Sequence, residues 1–171
     1  MSRRAKIAKV ALTATVLAAL TPTAPALADS GYVIKNVSTL MCLTIGGDSS
    51  TRRMGNIART WECQPGLQGY LWNRTARSQL ASADFHGKLC IDAPKGPLVL
   101  VRRCGSDLKH QRLTFSTIKT NYGDWFLIKW TGLSPATCLN SNDKGQVFGS
   151  RCDPGSTNQN WTLGPRVRVG K

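Results

Sequence analysis

Acidic residues are scarce in this 171-residue chain, nine against 23 lysines and arginines, and His86 and His110 are its only histidines. No pair of those acids sits in a recognisable catalytic motif. No G-x-S-x-G frames a serine, and neither histidine has an obvious nucleophile beside it, so the sequence is read as non-enzymatic. C-x-x-C pairs are missing too, which argues against a zinc site, and no cofactor is expected. No apolar pattern of helical period persists for three turns, which argues against a helical fold. Beyond the first 28 residues no apolar run is long enough to span a bilayer. Arginine-rich runs and alternating basic-aromatic arrays are also lacking; later basic pairs occur only at Arg52-Arg53 and Arg102-Arg103, so a nucleic-acid partner is not expected.

What is there begins with export. Arg3, Arg4, Lys6 and Lys9 precede a short apolar run from Val10 to Leu20, Pro22 and Pro25 follow, and Ala26-Leu27-Ala28 has the small-x-small pattern of a cleavage site. These features predict a secretory signal peptide over residues 1–28, cut after Ala28, and hence a secreted protein. From residue 29 onward 19 basic residues face nine acidic ones, a net charge of +10. Such an excess favours anionic surfaces, acidic glycans or nucleic acid without choosing among them.

The remaining chain repeats itself. Cys138 and Cys152 lie 14 positions apart, Gln159 follows by seven, and Trp161 and Leu163 alternate after it. Cys90, Cys104, Gln111, Leu113 and Phe115 keep the same offsets. A looser copy is Cys42, Cys63, Gln68, Tyr70 and Trp72, and the leading cysteines are spaced 48 apart in both intervals. Three copies at one period define an internal repeat. In an exported chain, the repeat selects the pairing Cys42–Cys63, Cys90–Cys104 and Cys138–Cys152.

Short β-branched and aromatic runs, such as Tyr32-Val33-Ile34, Leu98–Val101 and Trp125–Ile128, are punctuated by turns such as Asn142-Asp143-Lys144-Gly145. The fold class is therefore all-β, and a threefold repeat of about four strands each predicts a β-trefoil. One domain is expected over 29–164, with repeats near 31–77, 78–123 and 124–164 and a basic, mobile tail over 165–171. Alternation would put Tyr70 and Trp72, Leu113 and Phe115, and Trp161 and Leu163 in a shared core. Gln68, Gln111 and Gln159 would each hydrogen-bond backbone within their own repeat.

With these motifs the chain resembles a ricin-type β-trefoil lectin domain, the Q-x-W carbohydrate-binding family. Gln159-Asn160-Trp161 is a strict match, and Gly55–Cys63 is similar to the family's G-N-x-x-x-x-W-x-C segment. The resemblance implies three ligand roles per repeat. They are a carboxylate two residues after the first cysteine, a ring two residues before the second, and an Asn just before the Gln. Carried over, the second repeat has Asp92, Arg102 and His110, and the third has Asn140, Ser150 and Asn158. The first has Thr44, Trp61 and Leu67. No repeat holds the full set. Asp92, Arg102, His110, Asn140, Asn158 and Trp61 are the expected glycan contacts, with acidic or sulfated sugars favoured by the charge. The incomplete sets also resemble the lectin-like binding subunits of cytolethal distending toxins, which would imply a separate catalytic partner chain. A trefoil protease inhibitor would need a stiff reactive loop, for which Pro94–Pro97 is the only and a poor candidate.

Overall fold

The computed structural model describes residues 30–47, 54–93, 98–106 and 108–168; the expected signal peptide and the Pro94–Pro97 loop lie outside them. Among the described residues there are twelve strands, four to a repeat. The first repeat holds β1 (Ser30–Asn36), β2 (Cys42–Gly47), β3 (Met54–Trp61) and β4 (Leu71–Arg74). The second holds β5 (Leu80–Ser82), β6 (Leu89–Asp92), β7 (Leu100–Arg103) and β8 (Leu113–Thr120). The third holds β9 (Gly123–Trp130), β10 (Thr137–Ser141), β11 (Val147–Arg151) and β12 (Asn160–Arg168). Single turns of 3-10 helix at Lys109–Gln111 and Thr157–Gln159 lead into the last strands of the second and third repeats.

The outer strands of each repeat pair in a ring, through β5–β4–β1–β12–β9–β8. No ladder joins β8 to β5 among the described residues; Leu113 N–H donating to Ser78 O at 2.6 Å is the bond across that seam. The inner strands form three hairpins, β2–β3, β6–β7 and β10–β11. These hairpins touch one another through Ile57 opposite Leu100, Arg59 opposite Gln146 and Leu98 opposite Phe148, so they form a triangular cap.

Burial follows the alternation of each hairpin. Leu43, Ile91 and Leu139, each one residue after a leading cysteine, are all fully buried. Trp72, Trp130 and Trp161 are the largest fully buried side chains, and Leu113 is buried with them. The expected pairing of core positions holds only in part. Leu163 is exposed and Phe115 is partly buried, because β8 and β12 run on past the core.

All three disulfides join cysteines of the same repeat, with Cα separations of 4.9, 5.0 and 4.9 Å. Each ties the start of an inner strand to the loop after its partner. The basic segment from 165 onward does not begin as a tail. Arg166, Val167 and Arg168 continue β12 opposite Tyr32, Gly31 and Ser30, because the antiparallel ladder with β1 satisfies their backbone groups.

Candidate functional site

Cross-strand partners in an antiparallel hairpin project to the same face. Cys90 is opposite Arg102 and Asp92 opposite Leu100, so the carboxylate and the guanidinium of the second repeat share a face. The same register holds in the third repeat, where Cys138 is opposite Ser150 and Asn140 opposite Phe148. In the first, Cys42 is opposite Trp61 and Thr44 opposite Arg59. Each repeat thus brings its first two sequence-predicted positions together, and in the second and third repeats the 3-10 turn carries the third, His110 or Asn158.

In the second repeat Asp92 is 2% exposed, and its Oδ2 accepts a hydrogen bond from Gln111 Nε2 at 3.1 Å. The same amide nitrogen donates to Arg103 O at 3.1 Å, and Gln111 Oε1 accepts from Gly105 N–H at 3.0 Å. Gln111 therefore fixes both the carboxylate and the loop after the second cysteine. His110 lies with its Nδ1 3.4 Å from Asp92 Oδ1 but makes no hydrogen bond through that nitrogen among the described residues. Its backbone carbonyl accepts from Ala93 N–H at 3.0 Å, which holds the turn against the hairpin. Arg102 is exposed at the rim. Burying a carboxylate so completely costs several kcal/mol unless it is hydrogen-bonded, and the polar cradle offsets that.

The third repeat uses a hydroxyl in place of the direct contact. Ser150 Oγ accepts from Asn140 Nδ2 at 2.9 Å and from Gln159 Nε2 at 2.8 Å. With two donors already pointing at it, that hydroxyl has its own proton left to donate. Asn140 Oδ1 is buried and lacks a hydrogen-bond partner among the described residues. Gln159 also donates to Arg151 O and accepts from Asp153 N–H, both at 2.8 Å, repeating the role of Gln111. Asn158 is exposed at the turn, its carbonyl held by Asn36 Nδ2 at 2.8 Å.

The first repeat corrects the expected alignment. Trp72 Nε1 donates to Leu43 O at 2.9 Å, as Trp161 Nε1 donates to Leu139 O at 3.0 Å. Ile45 N–H donates to Gly69 O, as Ala93 N–H donates to His110 O. Trp72 is thus the counterpart of Trp161 and Leu113, Tyr70 stands in the place of Gln111 and Gln159, and Gly69 in that of His110. Gln68 and Leu67 are exposed and fill neither role. The longer first loop hid this, although Tyr70 follows Cys63 by the same seven positions that separate Gln111 and Gln159 from their cysteines. Trp61 is 56% exposed, a ring presented to solvent beside Thr44.

Burial pushes the Tyr70 hydroxyl above its usual value of 10.0, its hydrogen bond with Thr44 pulls it back, and Glu62 adds a further push upward. The Tyr70–Thr44 bond therefore repeats the Gln111–Asp92 contact with different chemistry. The unfolded chain ionises this tyrosine first, so its contribution is fully present below pH 10 and is lost as pH rises through the folded value. Tyr70→Phe should cost about 1 kcal/mol at pH 8 and flatten the loss of stability above pH 10, read from urea melts across that range.

The family model of the ricin-type beta-trefoil lectin domain matches residues 30–161. The chain belongs to that family. Solved structures with the same lectin fold include the earthworm R-type lectin C-half in complex with GalNAc, with TM-score 0.58 and 15% identity over 78% of this chain and 96% of that one. The Vibrio vulnificus hemolysin/cytolysin β-trefoil lectin with N-acetyl-D-lactosamine bound has TM-score 0.62 and 15% identity over 83% and 98%. A mosquitocidal holotoxin matches with TM-score 0.60 and 15% identity, over 78% of this chain and 17% of its own. No curated protein matched. Among the described residues of this ricin-type domain, no group of three His, Cys, Asp or Glu could hold a metal ion, and no helix is long and apolar enough to cross a membrane.

Proposed function

We propose that this chain is a secreted, non-catalytic lectin that binds glycans through shallow sites on its cap hairpins. The carrying observation is the second repeat. There a buried carboxylate is held by an amide, with His110 beside it and Arg102 on the same face. A planar acceptor recognises adjacent sugar hydroxyls, and an imidazole and a guanidinium add donors around it. Asn140, Ser150 and Asn158 offer a second, uncharged set, while Trp61 offers a ring without the polar groups that would orient a sugar on it. Single shallow sites bind weakly, and affinity for a glycan-covered surface would come from engaging more than one at a time.

Asp92→Asn keeps the shape and an acceptor for Gln111 but removes the charge. On a glycan array, this variant should bind at least about tenfold more weakly than the parent, the cost of losing a charge-assisted hydrogen bond. Unchanged binding by a folded Asp92→Asn protein would remove the second repeat from the site. A docking subunit of a multi-chain toxin is the alternative. What favours it is that two similar folds belong to a hemolysin/cytolysin and a holotoxin. Co-purification with a catalytic chain, without array binding, would favour that reading.

A further inference from the structure

Away from the cap-hairpin faces, the turn before β5 and the loop after Cys104 enclose a shallow, open depression of about 590 Å³. Arg77, Ser78, Ser106, Arg112 and Thr131 line it together with Ala76, and no acid does so among the described residues. Both arginines are exposed, and neither guanidinium has a hydrogen bond or ion pair among the described residues. Elsewhere Arg74 and Arg166 lie over the rings of Phe115 and Tyr32, so unengaged guanidinium groups sharing one concavity are not simply the rule on this surface.

The backbone around the depression is well held. Ser78 takes a left-handed conformation with φ 59°, its carbonyl accepts from Leu113 N–H, and Arg112 O accepts from Thr131 N–H at 3.0 Å. Gln79, next to Ser78, donates to Gly105 O at 2.6 Å and to Gln111 Oε1 at 3.1 Å. Two arginine stems and two hydroxyl-bearing residues are thus anchored to a rigid frame, which lowers the ordering cost of gripping a ligand. Paired guanidinium forks suit an oxyanion, because each can donate two parallel hydrogen bonds to it.

We infer that this depression is an anion subsite that takes the sulfate ester or carboxylate of an acidic glycan. The inference deepens the reading above, since it presumes a glycan ligand, and it assigns the acidic-sugar preference to Arg77 and Arg112 instead of to overall charge. The loop from Gly105 to Arg112 carries both His110 of the candidate sugar site and Ser106 and Arg112 of the depression.

The test is calorimetric titration of the full chain with a heparin-derived hexasaccharide and a hyaluronan hexasaccharide at physiological ionic strength. Arg77→Ala/Arg112→Ala should bind the heparin fragment at least about tenfold more weakly, as expected for lost charge-assisted contacts. A control double variant, Lys144→Ala/Arg168→Ala, removes equal charge from exposed positions outside the depression and should bind within about twofold of the parent, since scattered surface charge acts weakly at that salt. Arginine-dependent binding of both fragments identifies a carboxylate as sufficient; dependence with heparin alone identifies the sulfate ester. Equal losses in the two double variants, or no loss in the first, overturn the subsite. If heparin binds through Arg77 and Arg112 while no neutral glycan binds anywhere, the cap-hairpin reading fails and the anion subsite stands.

Discussion

Reduction of the three disulfides should lower the melting temperature by roughly 20–40 °C and leave little folded protein at body temperature. Each bridge closes a short loop, of sequence separation 21, 14 and 14. In the chain-entropy model a loop of that size is worth about 3 kcal/mol, and the longer first loop adds only a few tenths more. Three together approach the whole net stability of an ordinary domain, about 5–15 kcal/mol. Cys63, Cys104 and Cys152 are only partly buried, whereas their partners are fully buried, so a reductant can reach one sulfur of each pair without global unfolding. A thermal melt with and without dithiothreitol reads the effect. A fall of only a few degrees would mean that the hydrophobic core carries the fold and the bridges merely decorate it.

The second large effect is expected at Trp161. Its ring is fully buried and its Nε1 donates to Leu139 O, so the side chain both fills the core and ties the last strand to the third hairpin. Trp161→Ala should cost about 3–5 kcal/mol for the cavity, and the orphaned carbonyl adds about 1–3 more if no water reaches it. Trp161→Phe retains most of the volume and should cost chiefly the second component. Urea unfolding of both variants separates the two contributions, provided the slope with denaturant stays constant. Equal stability of the Phe variant and the parent would show that the indole hydrogen bond contributes nothing net.

Much of the fold was legible because the repeat is punctuated by cysteines, which tolerate little drift in spacing. The strands, the intra-repeat pairing and the gathering of Asp92 and Arg102 on one hairpin, with His110 on the turn beside it, all follow from that period. The first repeat was not legible in the same way. Its loop between cysteines is longer, and a glutamine happens to stand at 68, where an exposed amide mimics the motif. The shared indole-to-carbonyl bonds of Trp72 and Trp161, with the matching backbone bonds to Gly69 and His110, reveal that Tyr70 carries the amide's role. Ser150 was missed for another reason. Judged as a failed aromatic it is a gap, but in three dimensions it links Asn140 to Gln159. Where β12 stops was hidden too, since Arg166, Val167 and Arg168 read as a charged tail until β1 is seen to pair with them.

Gly69 has the widest consequence. It holds the place of His110 with φ at +94°, and a β-carbon there would sit 3.3 Å from both Ile45 Cβ and Thr44 Oγ1. A left-handed backbone and crowded neighbours together resist any side chain at that point. The first lobe is therefore closed to repair by single substitution, so under the proposed lectin reading a frame that could have offered three such lobes would offer at most two.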